Sequence, residues 1–274
     1  MLETVRIGNL TTLRMANQPA GGRPVLLLHG YFADATVFAD WLPFFAARGF
    51  APVALNLRGR AGSRPGTEIG GVSIDDYVED AALAARALGN GRPLVVGHSM
   101  GGLIAQRLAE LDLVEAAALI TPAPPRGITV MTWQLAIKQL KYLPAIFASR
   151  PVRPSREDIR ALVMNRVPRD QQDEVIDRLV PDSGRAGREQ SITGVPVDAS
   201  RVRCPLLVIA AEDDQFIPAK TVARVARRYG VPARVMPGHG HMIVLEPGWQ
   251  ELAGIVADWF AAMPARGANQ PVAP

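Results

Sequence analysis

The chain is poor in the residues that build covalent or metal-based scaffolds. One cysteine, Cys204, stands among 274 residues. No internal disulfide can form, and a cysteine-based metal cage has no ligands. Four histidines are too few to supply a structural zinc site and the chemistry considered below, so no metal is expected. Lysine occurs only at positions 138, 141 and 220, leaving arginine to carry nearly all of the positive charge. There is no run of five or six like charges and no ladder of basic and aromatic residues, which argues against nucleic-acid binding. The longest apolar stretches, such as Pro205 to Ala211, fall far below the roughly 18 residues of a membrane span, so no membrane association is expected. The opening residues Met1 to Arg6 carry an early acid and no apolar h-region. A secretory signal is therefore not expected, and the chain reads as cytoplasmic.

Apolar residues make up 48% and charged residues 20%, a composition that buries a large core in one or two domains. The formal charge of +4 is unevenly placed. Thr121 to Arg203 carries 14 Lys+Arg against 9 Asp+Glu. That excess reads as a solvated, arginine-rich helical segment; a sharper reading is a cationic lid that favours acidic substrates.

Short apolar runs closed by glycine or a polar residue recur in the first half: 25–28, 52–55 and 94–96, then 116–120. Runs apolar at every position fit strands buried on both faces. Helical patterns lie between them at 34–47, 75–88 and about 100–111, the second with Ser73 and Asp76 placed for a capping box. This alternation predicts a mostly parallel sheet with helices on both faces. It breaks at the proline-rich loop Thr121 to Gly127. From Ile128 to Ser200 no strand is expected, while 132–142 and 169–180 have helical spacing between prolines. Strand character returns at 206–209 and 233–236, and a last helix is expected from Pro247 to Phe260. The implied organisation is a core of 1–121 and 204–263, a helical cap of 122–203, and a disordered Gly/Pro/Ala tail of 264–274.

The chemistry concentrates at the ends of these strands. Gly97-His98-Ser99-Met100-Gly101 lies between a strand and a helix, where a tight turn would lift the serine hydroxyl to the carboxyl end of the sheet. A serine hydroxyl needs a base. His98 adjoins the serine but points elsewhere, and His29 ends an early strand. His239 and His241 both follow the last strand. A third group must orient the base, and Glu212, Asp213 and Asp214 all close a late strand.

The ordered set resembles the α/β-hydrolase superfamily, in its capped branch of serine esterases and C–C hydrolases. His29-Gly30-Tyr31 resembles the family's H-G-x turn. Leu57-Arg58-Gly59 to Ser63 resembles its D-x-R-G-x-G-x-S loop, with Asn56 in place of the usual aspartate and Arg60-Ala61 blurring the pattern. Gly97 to Gly101 resembles the nucleophile elbow, and Asp214 to Pro218 and Gly240 to Pro247 resemble the acid and base segments. The resemblance implies an eight-stranded, mostly parallel sheet with the cap inserted after the sixth strand. It selects Asp214 as the acid and His241 as the base for Ser99. It implies an oxyanion site of backbone N–H groups at Met100 and Tyr31, with Phe32 as the alternative to Tyr31. The implied activity is a cofactor-free carboxylesterase acting on small to medium apolar esters. Hydrolysis of vinylogous diketones at a C–C bond and haloperoxidase-like perhydrolysis are its rivals. A small-molecule receptor with vestigial turnover is a reading from another class. The expected substrate pocket comprises His29, Phe32, His98, Trp133, Ile137 and Phe147, with Leu135, Leu140, Tyr142 and Ile146 as further apolar cap residues.

Overall fold

The structure is a computed structural model that describes residues 1–88, 92–130, 137–138 and 140–264. Its centre is an eight-stranded sheet. In chain order the strands are β1 (Leu2–Ile7), β2 (Leu10–Met15), β3 (Arg23–Leu28), β4 (Phe50–Leu55), β5 (Leu94–His98), β6 (Ala116–Ile120), β9 (Leu206–Ala211) and β10 (Ala233–Met236). They lie side by side as β1-β2-β4-β3-β5-β6-β9-β10. The β1–β2 hairpin is antiparallel and β2 runs antiparallel to β4. All later pairings are parallel.

The apolar runs divide by parity, as alternation along a strand requires. Leu26, Leu28, Val95, Ala117, Leu119 and Val208 face one core with helices α2 (Ile74–Ala87), α3 (Met100–Glu110) and α8 (Ala219–Arg228). Val25, Leu27, Leu94, Val96, Ala118 and Ile209 face the other, with α1 (Trp41–Ala46) and α9 (Trp249–Ala261). A sheet covered on both sides is why these strands lack polar alternation. The parallel register aligns Leu28 with Leu55 and Gly97, and His98 with Ile120. The loops after these strands therefore open at one edge of the sheet.

Local signals mostly become the expected elements. Ser73 Oγ accepts from the Asp76 N–H at 3.0 Å, and Asp76 returns the bond to the Ser73 N–H at 2.9 Å. The single helix expected over 34–47 is instead split. A 3₁₀ turn at Ala35–Phe38 precedes α1. Asn56 Oδ1 takes the Ala35 N–H at 2.9 Å, and Asp34 takes that of Thr36 at 2.9 Å. The first turn is thus held by tertiary and capping partners, not by a helix. The last helix starts at Trp249 and not at Pro247, because Gly248 sits at its N-cap with φ +92°.

Between β6 and β9 the chain leaves the sheet. It forms the short helices α4 (Leu143–Phe147), α5 (Arg156–Leu162), α6 (Arg169–Arg178) and α7 (Gly184–Arg188). Contrary to the sequence expectation, the described residues of this segment include two strands of two residues each. β7 (Pro151–Val152) pairs antiparallel with β8 (Asp182–Ser183). Pairs this short carry no periodicity for a sequence to display. The helix expected over 132–142 falls largely outside the described residues; its end, Leu140–Tyr142, is a 3₁₀ turn. The expected tail lies outside them from residue 265 onward. Among the described residues no helix is long and apolar enough to cross a membrane.

Candidate active site

Ser99 occupies the turn between β5 and α3 with φ 55° and ψ −118°. A non-glycine residue in that region is strained and is held by its surroundings. The glycines around it explain how. A Cβ on Gly97 would come within 2.4 Å of the Gly101 carbonyl oxygen, and one on Gly101 within 2.1 Å of the Leu28 carbonyl oxygen. A Cβ on Gly102 would meet Pro122 at 2.7 Å. The turn can pack against β3 and the start of α3 only because these positions lack side chains. The Ser99 N–H donates to the Ile120 carbonyl at 3.0 Å, tying the turn to β6.

His241 lies on the loop after β10. Its Nε2 is 3.1 Å from Ser99 Oγ, and its Nδ1 is 2.8 Å from Asp214 Oδ2. Asp214 follows β9, and its other oxygen accepts the N–H groups of Phe216 and Ile217 at 2.8 and 2.7 Å. All three residues are buried. The geometry fits an imidazole that donates Nδ1–H to the carboxylate and accepts the serine proton at Nε2.

The neighbouring candidates do other work. Glu212 accepts the Gly238 N–H at 3.1 Å, and Asp213 pairs with Arg166. His239 bonds Glu246 at 3.2 Å. His98 donates Nε2–H to the His241 carbonyl at 2.8 Å, bracing the loop that carries the ring. Burial and the adjacent His241 lower the His98 pKa to about 3, so it stays neutral.

The hydroxyl opens onto a cavity of about 130 Å³, roofed by the segment between β6 and β9. Its lining is mainly apolar, including Val130, Ile146, Val152, Ile159, Met164 and Leu179. Of the residues expected there, Phe32, His98, Tyr142 and Ile146 line it. Three others are corrections. His29 is fully buried beneath the loop, donating Nδ1–H to the Gly30 carbonyl at 2.9 Å and accepting the Leu57 N–H at 3.3 Å. Ile137 and Phe147 face outward, each 59% exposed, as does Leu140. A helical pattern reveals an apolar side chain but not which way a short helix turns it. Trp133 and Leu135 lie outside the described residues.

Tyr31 lines the same cavity, and Met100 opens α3 directly after Ser99. Among the described residues, the N–H groups of Tyr31 and Met100 reach no protein acceptor. The Phe32 N–H is taken, donating to Asp182 Oδ2 at 2.8 Å. Sequence reasoning missed Asp182 altogether and saw Arg60, its ion-pair partner, only as a blurred motif. Neither has a local signal, because the pairing spans 122 residues.

Comparison with known proteins agrees with this architecture. A 2-(acetamidomethylene)succinate hydrolase of Mesorhizobium japonicum is 26% identical over 255 residues, covering 87% of this chain and 88% of that protein. A monoacylglycerol lipase of Paleococcus ferrophilus superposes with a TM-score of 0.69 at 22% identity, over 92% of this chain and 98% of the other. The 2-hydroxy-6-oxo-6-phenylhexa-2,4-dienoate hydrolase of Rhodococcus sp. strain RHA1 superposes with a TM-score of 0.70 at 19% identity, over 96% and 100%. Residues 25–254, from the third strand into the last helix, match the Alpha/beta hydrolase family, and the chain belongs to it.

Proposed function

We propose that the protein is a serine hydrolase that cleaves small to medium apolar carboxylic esters. The observation that carries this reading is the unbroken chain from Ser99 Oγ through His241 to Asp214 at the floor of an apolar cavity. Ser99 Oγ attacks the ester carbonyl carbon while its proton passes to His241 Nε2. Asp214 holds the imidazole in the required tautomer and stabilises the imidazolium. The oxygen gains negative charge and is received by the N–H groups of Tyr31 and Met100, the latter at a helix N-terminus. Collapse of the tetrahedral intermediate breaks the ester C–O bond, and His241 returns the proton to the leaving alcohol. Water then attacks the acyl-enzyme by the same steps in reverse. The segment between β6 and β9 acts as a cap that keeps bulk water from the cavity. A cavity of this size receives a group of about benzene's dimensions, which favours short to medium acyl chains.

The test is hydrolysis of p-nitrophenyl esters from acetate to dodecanoate, wild type against Ser99→Ala. The wild type should show an optimum at short to medium acyl length. Ser99→Ala should lose about 10³- to 10⁶-fold in kcat. Turnover that survives the substitution would refute Ser99 as nucleophile. A folded wild type that cleaves no ester would turn attention to a ring-fission dienoate.

A further inference from the structure

The loop that carries Tyr31 is held from the cap side. Phe32, next in the chain, has φ +65°, a conformation that a bulky L-residue rarely adopts. Both of its peptide groups are gripped by one stretch of the cap. The Phe32 N–H donates to Asp182 Oδ2 at 2.8 Å, and the Val180 N–H donates to the Phe32 carbonyl at 2.8 Å. The Tyr31 hydroxyl donates to the Ser183 carbonyl. This stretch is itself fixed to the core. Ser183 Oγ donates to the Gly70 carbonyl at 2.9 Å.

Asp182 is the centre of the grip. Its side chain and that of Arg60 are fully buried and form an ion pair. Four donors converge on its two oxygens: the Arg60 guanidinium and Phe32 N–H at Oδ2, and the Tyr77 hydroxyl (2.6 Å) and Ser183 N–H (2.7 Å) at Oδ1. Arg60 gives three further N–H groups to the core, to the Ala33 carbonyl at 3.0 Å, the Arg58 carbonyl at 2.9 Å and the Tyr77 hydroxyl at 3.1 Å. A dry ion pair is a costly way to join two segments, and apolar side chains of similar volume often do it as well. What an apolar pair cannot supply is an acceptor for the Phe32 N–H.

We propose that Asp182 is a positioning residue for the oxyanion site. By holding the Phe32 peptide in its strained turn, it aims the preceding Tyr31 N–H into the cavity, and Arg60 keeps the carboxylate in place. The inference rests on the ester-hydrolase reading and on Tyr31 as an oxyanion donor. It makes the cap part of the machinery that receives the developing charge, and not only a roof.

Two variants separate positioning from mere stabilisation. Arg60→Met/Asp182→Leu removes the ion pair without leaving a buried charge, but it provides no acceptor. Asp182→Asn leaves Arg60 uncompensated and takes the acceptor from the Ser183 N–H, but it keeps an oxygen for the Phe32 N–H, with the Tyr77 hydroxyl free to turn and accept from the amide. Compared at a temperature where all the variants are folded, the double variant should lose about 10²-fold in kcat, the loss expected from a small misplacement of one catalytic donor. Its KM should stay within about threefold. Asp182→Asn should melt earlier and lose less than about tenfold in kcat. Affinity for an apolar trifluoromethyl ketone should follow kcat, because Ser99 adds to its carbonyl and creates the same oxyanion. Affinity for the product acid should not change. A purely structural role predicts the opposite order, with the double variant active and the Asn variant impaired, and that result would overturn the proposal. So would kcat and ketone affinity in both variants equal to wild type. If wild type neither cleaves an ester nor binds the ketone, the underlying hydrolase reading fails first, a result distinct from active variants.

Discussion

Two histidine–carboxylate pairs stand two residues apart on the loop after β10, and they differ in how each carboxylate is held. Asp214 gives one oxygen to His241 and anchors the other on two backbone N–H groups. Glu246 uses one oxygen for both the His239 ring and the Gly240 N–H, at 3.2 and 2.8 Å. Its other oxygen is buried with no partner among the described residues. Burial raises the Glu246 pKa, opposed only in part by these bonds. The rings differ as well. His241 turns its second nitrogen to Ser99 and lines the cavity. The His239 ring packs on Gly248, where an added Cβ would meet it at 3.3 Å. One pair is built to hold a proton-transfer geometry, and the other clips a loop to the start of the last helix.

The largest expected effect breaks the pairs apart. Asp214→Asn should lower kcat by about 10⁴-fold, because an amide can present its N–H to Nδ1 and favour the wrong imidazole tautomer. Glu246→Gln, the same change of one carboxylate oxygen to an amide, should cost less than about tenfold, since the proposed mechanism gives His239 no step. Steady-state kinetics of the two variants on one ester settles the matter. Equal losses would mean that the clip, and not the proton relay, sets the rate.

The other two histidines extend the contrast to stability. Burial holds His98 at about 3, helped by His241, and burial with Arg60 nearby holds His29 at about 4. Both folded values lie below the unfolded value near 6.5. The unfolded chain therefore binds the extra protons first as pH falls. Stability is complete above about pH 6.5 and declines below it, by roughly 1.4 kcal/mol per pH unit for each histidine. From pH 6.5 to 4.5 the two together remove about 5 kcal/mol, comparable with the whole margin of an ordinary domain. Aspartates whose pKa is lowered, such as Asp76 and Asp158, act only below their ordinary value of 3.8. Glu246 acts in the opposite direction, adding stability as it takes up its proton. Urea midpoints across pH 7 to 4.5 should fall steeply, and His98→Gln should remove about half of the slope. An unchanged slope would show that His98 is not held neutral.

The same contrast explains what could be read from the sequence. Six of the eight strands of the main sheet (β3 to β6, β9 and β10) and the elbow were legible because their requirements are local. Runs apolar at every position predict burial on both faces, and Gly97 stands where the backbone meets that of Gly101, four residues on. Ser99 is marked by its place between a strand and a helix, Asp214 and His241 are selected by the family resemblance, and the structure brings all three into hydrogen-bonding reach. Asp214 was separable from Glu212 and Asp213 only by resemblance, since their different partners lie on other loops. The segment between β6 and β9 was less legible. Its helices are short, β7 and β8 are two residues each, and the outward turn of Ile137 and Phe147 depends on packing that no periodicity records. Asp182 and Arg60 were invisible for a simpler reason. A buried charge looks like a surface charge until its partner, far along the chain, is known.

The smallest expected effect tests whether the His239 clip is separate from the chemistry. Gly248 has φ +92°, and the His239 Cε1 and Nε2 atoms lie 3.3 and 3.4 Å from where its Cβ would be. Gly248→Ala therefore meets both backbone strain and a crowded ring, and should lower stability by about 1–3 kcal/mol. In a His239→Ala background the crowding disappears and the backbone strain remains, so the cost of Gly248→Ala should shrink but not vanish. A double-mutant cycle in urea measures this difference. Throughout the cycle kcat should remain within about twofold, because His241 is held independently by Asp214 and by the His98 bond to its carbonyl. If Gly248→Ala instead costs activity in proportion to stability, the clip transmits to His241, and the two pairs form one unit.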